Sequence, residues 1–256
     1  MIIRKSQDEI DTMARAGSVV ADTLALLRDS IRPGLTTGEL DRIAEEYIRS
    51  RGGYPTFKGY RGYPAAICAS PNDMVVHGIP GDYELAAGDL LSVDVGVTLD
   101  GFVADSAWTF PVGEISPAAE RLLETCERAL YAGVEQARAG NDVADISEAV
   151  QRTTEEAGFS VIRSLVGHGV GRSMHEEPQI PNFVGPYRGP RLRDGMTLAI
   201  EPMITAGAAE IYLHDDQWSI STEDGSLSAH FEHTVAVTAD GPRILTAEAT
   251  ATALLP

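Results

Sequence analysis

Four acidic residues and one histidine lie in apolar segments where they could bind a divalent cation. The acids are Asp94 in LLSVDVGV, Asp105 in FVADSAWTF, Glu201 in MTLAIEP and Glu232 in HFEHTVAVT. A single acid on a strand is more often solvated, but a buried strand rarely carries a charge without a partner. His168 in VGHGVGR lies among glycines that leave its imidazole free to bind. An oxygen-rich set with one imidazole suits divalent Mn, Fe, Co or Zn.

The segments around Asp94 and Asp105 predict a β-hairpin with both carboxylates on one face. Apolar residues occupy the odd positions of LLSVDVGV, so Asp94 points to the opposite face, and Asp100-Gly101 is a strong turn signal. A loop at 99–100 makes the two acids direct partners, and a loop one residue later makes them diagonal neighbours. In either register their Cβ atoms are about 5 to 8 Å apart, where ionised carboxylates repel unless a cation or shared proton lies between them. Solvent-facing acids on an edge hairpin are the alternative.

The same alternation applies to Glu201 and Glu232. In an extended strand Glu201 shares a face with Thr197 and Ala199, and Pro202 favours the extended conformation. Glu232 likewise shares a face with the small residues at 234 and 236, while apolar side chains occupy the other face. Both acids are therefore expected to point away from the apolar face of their strands.

The remaining histidines are expected in different places. His77 and His175 lie beside turn-forming residues, which favours loop positions at the rim of a site, with a structural role as the alternative. His214 and His230 are expected at the surface or the rim. His233 is expected to face away from the acid that precedes it.

Several hydrolase and nucleotide-binding classes are excluded by their missing motifs. HEEPQ lacks the second histidine of HExxH, no GxSxG occurs, and GHGVG is not followed by Lys and Ser or Thr. Cys68 and Cys126 lie far apart without zinc-binding spacing, so two reduced thiols are expected. In AAICAS, Cys68 is typical of a small buried strand residue.

Composition limits the class of protein further. The chain has 256 residues, 43% of them hydrophobic, which is enough for one domain with a sizeable core. A net charge of −18 disfavours DNA and anionic membranes as partners. MIIRKSQDEI lacks the apolar segment of a signal peptide, and no run is long enough for a membrane helix, so a soluble cytoplasmic protein is expected.

Helical spacing of apolar residues predicts two pairs of helices, each followed by strands. The helices are predicted from Asp8 to Ser30, from after Thr36 and Thr37 to Arg51, from Ala118 to Ala139 and from Asp142 to Ala157. Strands are predicted in AAICAS, LLSVDVGV, FVADSAWTF, SVIRSLVG, MTLAIEPMI and HFEHTVAVT. At an offset of 106 residues Gly34 aligns with Gly140 and Gly52 with Gly158, a repeat for which chance agreement is the alternative. This segregation of helices and strands predicts an α+β fold with antiparallel sheet.

Together these residues and motifs resemble the type I methionine aminopeptidases of metallopeptidase family M24, in their short bacterial form. The five candidate ligands are 11, 63, 33 and 31 residues apart and occur in the family's order. They are accompanied by HGIP at 77–80, GHGVGR at 167–172, HEEP at 175–178 and AIEPM at 199–203. The resemblance covers essentially the whole chain, and its motifs are specific.

For the fold, the resemblance implies the pita-bread architecture, an α+β fold with pseudo-twofold symmetry. A curved antiparallel sheet would be covered by the two helix pairs. Residues 1–256 would form a single catalytic domain with halves of roughly 1–113 and 114–256, and the site would lie between the halves.

The resemblance also implies a cofactor of two divalent metal ions, which could be Co, Mn, Fe or Zn. Asp94 would bind one ion, and His168 and Glu201 would bind the other. Asp105 and Glu232 would bridge both. A hydroxide held between the ions would attack the first peptide bond, and Glu201 would transfer the proton.

Two histidines and an apolar pocket complete the site that the resemblance implies. His175 would donate a hydrogen bond to the scissile carbonyl, and His77 would contact the peptide nitrogen or the leaving group. The pocket for the methionine side chain, in which polarizable or aromatic walls suit a thioether, would include Tyr60, Tyr63, Cys68, Met174 and Trp218. Some bacterial relatives carry other residues at Phe57, Gly96, Met174 and His230.

The implied function is removal of the N-terminal methionine from nascent proteins and peptides, preferentially when the second residue is small. The protein would act in the cytoplasm as a monomer, on chains at the ribosome, without DNA or membrane partners. Two alternatives are open. One is an Xaa-Pro aminopeptidase or prolidase-like dimetal peptidase, and the other is a non-catalytic peptide-binding protein of the same fold.

Overall fold

The structure, a computed structural model, describes residues 1–248, so the last eight residues of the predicted domain lie outside the described residues. Within the described range the chain forms four α-helices, in the four places that the apolar spacing predicts. They are α1 (Gln7–Ser30), α2 (Thr37–Ser50), α3 (Pro117–Gln136) and α4 (Val143–Glu156). No helix among the described residues is long and apolar enough to cross a membrane.

Side-chain caps fix where the first helices begin. The Ser6 hydroxyl accepts a hydrogen bond from the N–H of Glu9, and the Glu9 carboxylate accepts one from the N–H of Ser6. Thr36 and Glu39 repeat this capping box at the start of α2. The caps satisfy backbone N–H groups that have no partner inside the helix, which is why these helix starts are readable from sequence.

Fifteen strands accompany the helices in the described range. In the first half they are β1 (Tyr54–Pro55), β2 (Cys68–Pro71), β3 (Met74–Val76), β4 (Leu90–Leu99) and β5 (Phe102–Pro111). The next five are β6 (Ser160–Val161), β7 (Val166–Gly169), β8 (Glu176–Pro181), β9 (Thr197–Ile200) and β10 (Met203–Thr205). The last are β11 (Ile211–Leu213), β12 (Ile220–Thr222), β13 (Ser228–His230), β14 (His233–Thr238) and β15 (Gly241–Ile244).

These strands form four hydrogen-bonded sheets, and the pairings between them are antiparallel. The first sheet has the order β1-β4-β2 with β5 on β4, and a five-stranded sheet has the order β15-β14-β9-β7-β8. Two three-stranded sheets have the orders β13-β10-β6 and β11-β12-β3. Because β3 belongs to the first half and β12 to the second, the last of these sheets links the halves.

Each helix pair packs against strands of its own half. The core under α1 and α2 contains Leu24 and Val95, together with other apolar residues of β4 and β5. The core under α3 and α4 contains Leu130, Leu198 and Val235 from α3, β9 and β14. Burying the apolar face of each helix on a sheet is the main stabilisation of both layers. The architecture confirms the α+β prediction.

Three predicted strands are interrupted. SVIRSLVG forms β6 and β7 instead of one strand. MTLAIEPMI divides at Glu201-Pro202 into β9 and β10, and HFEHTVAVT divides at Phe231-Glu232 into β13 and β14. Pro202 lacks the N–H that a residue of a central strand donates, which favours the break at Glu201-Pro202. At Glu201-Pro202 the chain passes from the five-stranded sheet to a three-stranded one, and at Phe231-Glu232 it passes back.

The two breaks lie opposite each other, and the break at Glu232 lies against β5. Ile200 pairs with His233 on one side of the interruption, and Met203 pairs with His230 on the other. The N–H of Glu232 donates to the carbonyl oxygen of a β5 residue, Ala107, at 2.8 Å. Strands from both halves therefore meet where the two glutamates leave the sheets.

Candidate metal centre and substrate pocket

The β4–β5 hairpin places two carboxylates on one face. It turns at Asp100-Gly101, whose φ angles of 49° and 78° are those of a tight hairpin turn. Asp105 lies opposite Gly96, two residues from Asp94 on the same strand face. The predicted shared face is confirmed, in the diagonal register.

Asp105 is fixed from the second half of the chain. The Thr234 hydroxyl accepts a hydrogen bond from the N–H of Asp105 at 2.9 Å and donates one to its carbonyl oxygen at 2.8 Å. The hydroxyl of Ser106 donates to the carbonyl oxygen of Glu232. These contacts hold Asp105 and Glu232, each only 2% exposed, beside each other.

Glu201 and Glu232 reach the site for a reason that differs from the prediction. The prediction placed each acid in a continuous strand, on the face opposite the apolar side chains, and the continuous strand was wrong. They lie in the breaks between strands, and the residues expected to share a face with them are buried: Thr197, Ala199, Thr234 and Ala236. Because each acid lies in a break, the alternation of side chains along a strand does not determine which way it points.

His168 on β7 presents one ring nitrogen to these acids. Its Nδ1 lies 2.9 Å from the carbonyl oxygen of Gly169, which makes Nδ1 the donor and leaves the Nε2 lone pair free. Nε2 lies 3.4 Å from Oε1 of Glu201 and 4.0 Å from Oδ2 of Asp105. Burial, with His175 nearby, lowers the pKa of His168 to about 4, so the ring is neutral near pH 7.

The arrangement fits a divalent metal ion. One ligand atom each from Asp105, His168 and Glu232 lie within 4.8 Å of one another. Among the described residues, Oδ1 of Asp94, Oδ1 of Asp105 and Oε1 of Glu232 are buried without a hydrogen-bond partner. Buried carboxylate oxygens without a partner are costly, and a bound cation is the partner that such a donor set takes.

Burial and mutual repulsion raise the pKa values of the acids. Burial is the main reason that the pKa of Asp94 rises to about 6; His230 opposes this rise and Glu201 adds to it. Burial, then Asp94 and Glu201, raise the pKa of Asp105 well above its ordinary value, and burial with Asp105 does the same for Glu232. A divalent cation would offset this repulsion.

We expect stabilisation by a divalent metal to grow as the pH rises through about 6. The raised pKa of Asp94 means that its contribution to the stability of the metal-free protein is present at low pH and is lost as the pH rises through that value. Protons and cations compete for the same oxygens, so the ion binds more strongly at higher pH. Thermal unfolding with and without manganese, at about pH 5.5 and about pH 7.5, measures the effect. An equal increase in melting temperature at both pH values would contradict it.

His77 and His175 lie on the same cavity as the acids. His77 follows β3 with a left-handed φ of 60°, and its pKa is lowered to about 4, mainly by burial. Nδ1 of His175 lies 2.9 Å from the Tyr60 hydroxyl, and its ring centroid is 4.3 Å from that of His168. The Tyr60 contact leaves Nε2 of His175 available to a substrate.

Aromatic and sulfur side chains form an apolar wall. The rings of Tyr63 and Trp218 meet edge to face with centroids 5.0 Å apart, and the Tyr63 hydroxyl is within hydrogen-bond distance of two backbone carbonyls. Met174 and Cys68 are buried. Burial raises the pKa of the Cys68 thiol, so it is a neutral wall residue. Cys68 and Cys126 are both free, as predicted.

Every residue that the family resemblance assigned to the site lines one cavity of about 310 Å³. It is also lined by Phe57, Leu165 and Met203. A Cβ atom at Gly96 would lie 2.8 Å from the Phe57 ring, so glycine at this position makes room for the phenylalanine. This contact ties the position of the Phe57 ring to the strand that carries Asp94.

His230 is a site residue that the sequence interpretation misplaced. Expected at the surface or rim, it is only 2% exposed and lines the cavity. Its Nε2 lies 3.6 Å from Oε2 of Glu201. The signal that could have found it is its spacing of two residues from Glu232, within the same predicted strand.

The other two histidines lie away from the acids. His214 is partly exposed, and its Nε2 lies 2.9 Å from the Ser221 hydroxyl. His233 is buried against Trp108, with Nδ1 2.8 Å from the Thr246 hydroxyl. The prediction that His233 faces away from the site is confirmed.

Known proteins with similar sequences and structures identify the family of this chain. The profile of metallopeptidase family M24 matches residues 11–239. A methionine aminopeptidase of Clostridium perfringens is 52% identical over 246 residues, which is 96% of this chain and 99% of the relative. The crystal structure of a methionine aminopeptidase from Thermotoga maritima has a TM-score of 0.95 and 42% identity, with 97% of this chain and 100% of that chain covered.

A more distant structure shares the fold. The prolidase from Pyrococcus horikoshii OT3 has a TM-score of 0.77 and 21% identity, with 97% of this chain and 64% of that chain covered. At that identity the likeness shows the architecture alone. The family profile and the two methionine aminopeptidases at 52% and 42% identity show that the chain belongs to metallopeptidase family M24 and, within it, to the type I methionine aminopeptidases of the bacterial form.

Proposed function

We infer that this protein removes the N-terminal methionine from nascent proteins and peptides, preferentially when the second residue is small. The observation that carries this inference is one cavity shared by the ligand cluster and the apolar wall. Asp105, His168 and Glu232 line it together with Met174 and Trp218. A methionine side chain against that wall would bring the first peptide bond to the cluster, as the activity named for the relatives requires.

The proposed cofactor is a pair of divalent ions, Co, Mn, Fe or Zn. Asp94 would hold one, His168 and Glu201 the other, and Asp105 and Glu232 would bind both. When bound, the ions lower the pKa of water and polarise the scissile carbonyl, which is the chemistry that amide hydrolysis needs near neutral pH. The unpartnered oxygens of Asp94, Asp105 and Glu232 support this assignment because each has a lone pair that a cation can bind.

The chain's own side chains would move the protons. Glu201, whose Oε1 lies 3.4 Å from Nε2 of His168 in the same cavity, is the carboxyl that would accept a proton and pass it to the leaving amine. The Tyr60 hydroxyl would donate to Nδ1 of His175, so that the Nε2–H of His175 donates to the oxygen of the scissile carbonyl. His77, neutral because its pKa is low, would contact the peptide nitrogen or the leaving group.

The same geometry supports cleavage after the first residue. A free α-amine would lie at the acidic end of the cavity, and an internal peptide bond lacks that group. Tyr60, Tyr63, Cys68, Met174 and Trp218 are the proposed methionine pocket. Their polarizable or aromatic surfaces give a thioether favourable contacts.

Purified protein supplied with cobalt or manganese will release methionine from Met-Ala and Met-Gly peptides and will spare Xaa-Pro peptides whose first residue is not methionine. The reason is that the apolar wall accepts the first side chain while the acidic cluster meets the first peptide bond. Chromatography of the free amino acids measures the release. Cleavage of Xaa-Pro with Met-Ala intact would assign a prolidase-like peptidase instead, and peptide binding without cleavage would assign a binding protein.

We also propose that residues 1–256 are one catalytic domain built from two related halves, roughly 1–113 and 114–256. The order helix pair, then strands, occurs in each half of the described range. All proposed ligands come from one chain, which fits a monomer. We propose, as the family resemblance implies, that the protein acts in the cytoplasm on the N-termini of nascent chains at the ribosome. The net charge of −18 disfavours DNA and anionic membranes as partners.

A further inference from the structure

His230 is a buried imidazole whose role in the site is not accounted for by the proposed ligands. It is 2% exposed and lines the cavity. Its Nε2 is fully buried, with no hydrogen-bond partner among the described residues. A buried polar atom that the fold leaves unpartnered calls for an unseen partner or a functional use.

The backbone of His230 is held by both halves of the protein. His230 ends β13 and pairs with Met203 at the start of β10. The Thr109 hydroxyl of β5 donates to the carbonyl oxygen of His230 at 2.9 Å, and its oxygen accepts the N–H of His230 at 2.9 Å. The ring is therefore directed into the cavity by a fixed backbone.

Glu201 lies between two imidazoles that approach different oxygens. Its Oε1 is 3.4 Å from Nε2 of His168, and its Oε2 is 3.6 Å from Nε2 of His230. The Nε2 of His168 presents a lone pair, because Nδ1 makes the hydrogen bond to the backbone. A lone pair and a carboxylate oxygen need a cation between them, whereas a ring N–H at His230 could bond the second oxygen directly.

We propose that His230 is a positioning residue: its Nε2–H donates a hydrogen bond to Oε2 of Glu201, holds Oε1 toward His168, and thereby tightens binding of the divalent ion at that pair. This inference rests on the proposed metal site. The present separation of 3.6 Å exceeds hydrogen-bond distance by a few tenths of an ångström, which a small rotation of the Glu201 carboxylate removes. Outer partners of this kind orient a ligand and raise metal affinity.

Titration of the metal-free protein with manganese, followed by calorimetry, tests the proposal. Replacing the ring by an apolar side chain in His230→Leu will weaken binding of the ion by about 10- to 100-fold, the usual effect of losing such a partner. His230→Gln, whose amide N–H can donate, will restore affinity to within roughly threefold of the wild-type value. His214→Gln removes a histidine outside the cavity and will leave manganese binding unchanged.

The outcomes distinguish failure of the proposed role of His230 from failure of the proposed metal site. Wild-type affinity in His230→Leu, or no rescue by His230→Gln, would overturn the role of His230 while the proposed function stands. A wild-type protein that binds no manganese would overturn the metal site, and the role of His230 with it. Melting temperatures of the variants show whether the fold is retained.

Nitrogen NMR of the zinc-loaded wild-type protein tests the same point without a substitution that could unfold it. The ring signals of His230 are those absent from the spectrum of His230→Gln. We expect the proton on Nε2. An unprotonated Nε2 bound to zinc would make His230 a ligand and would overturn the positioning role.

Discussion

Asp105→Asn will abolish methionine release from Met-Ala peptides. The amide removes the charge and one oxygen of the carboxylate that we assign to both ions. The loss of several kcal/mol of transition-state stabilisation corresponds to a fall in kcat/KM of roughly 1,000-fold or more. Methionine release and bound metal per chain, measured on the same preparation, record the effect.

Asp100→Asn is the matched control for this substitution. Asp100 is exposed at the turn of the same hairpin and has a φ of 49°, which asparagine adopts readily. We expect activity close to that of the wild-type protein. Full activity in Asp105→Asn would remove Asp105 from the ligand set, and equal loss in both variants would point to a disrupted hairpin instead.

His175→Ala will lower kcat by about 100- to 1,000-fold, the usual effect of removing one donor to a developing oxyanion. Metal content will stay at the wild-type level, because His175 is assigned to the substrate and not to the ions. Its ring lies beside His168, and its Nδ1 is 2.9 Å from the Tyr60 hydroxyl, a contact that orients Nε2. Steady-state kinetics and metal analysis measure the two quantities separately.

His214→Gln is the control for the loss of an imidazole, since glutamine can keep the contact with Ser221. It should retain wild-type kcat. Loss of metal from His175→Ala would make His175 a ligand. Unchanged kcat in that variant would instead remove His175 from the stabilisation of the carbonyl oxygen.

The features that could be predicted from the sequence are those with local causes. The starts of α1 and α2 follow from capping boxes at Ser6 and Thr36. The hairpin follows from Asp100-Gly101 and strand alternation, which together were enough to put two acids on one face. The local sequence did not decide between the two registers of the hairpin.

The positions of Glu201 and Glu232 depend on distant parts of the chain. Each was expected on a continuous strand, but each lies where the chain changes sheets. The change occurs where the N–H of Glu232 bonds to Ala107 of β5 and where β9 and β10 pair antiparallel with β14 and β13. Alternation along one strand carries no information about such partners.

The burial of His230 was missed for the same reason. Its neighbours are Thr109 in β5 and Met203 in β10, both distant in sequence. The contact of Gly96 with Phe57 is also tertiary, and it shapes the cavity beside the acids. The resemblance to the family assigned the residues to one site, and the physical pattern alone reached only a carboxylate-rich cluster.

Metal-dependent removal of the first methionine is tested most directly by one preparation assayed twice on a Met-Ala peptide, after chelation and after manganese is restored. We predict no release of free methionine from the chelated protein, and release that rises with bound manganese until the site is filled. Full activity after chelation, or a metal-loaded protein that leaves the Met-Ala peptide intact, would contradict this function.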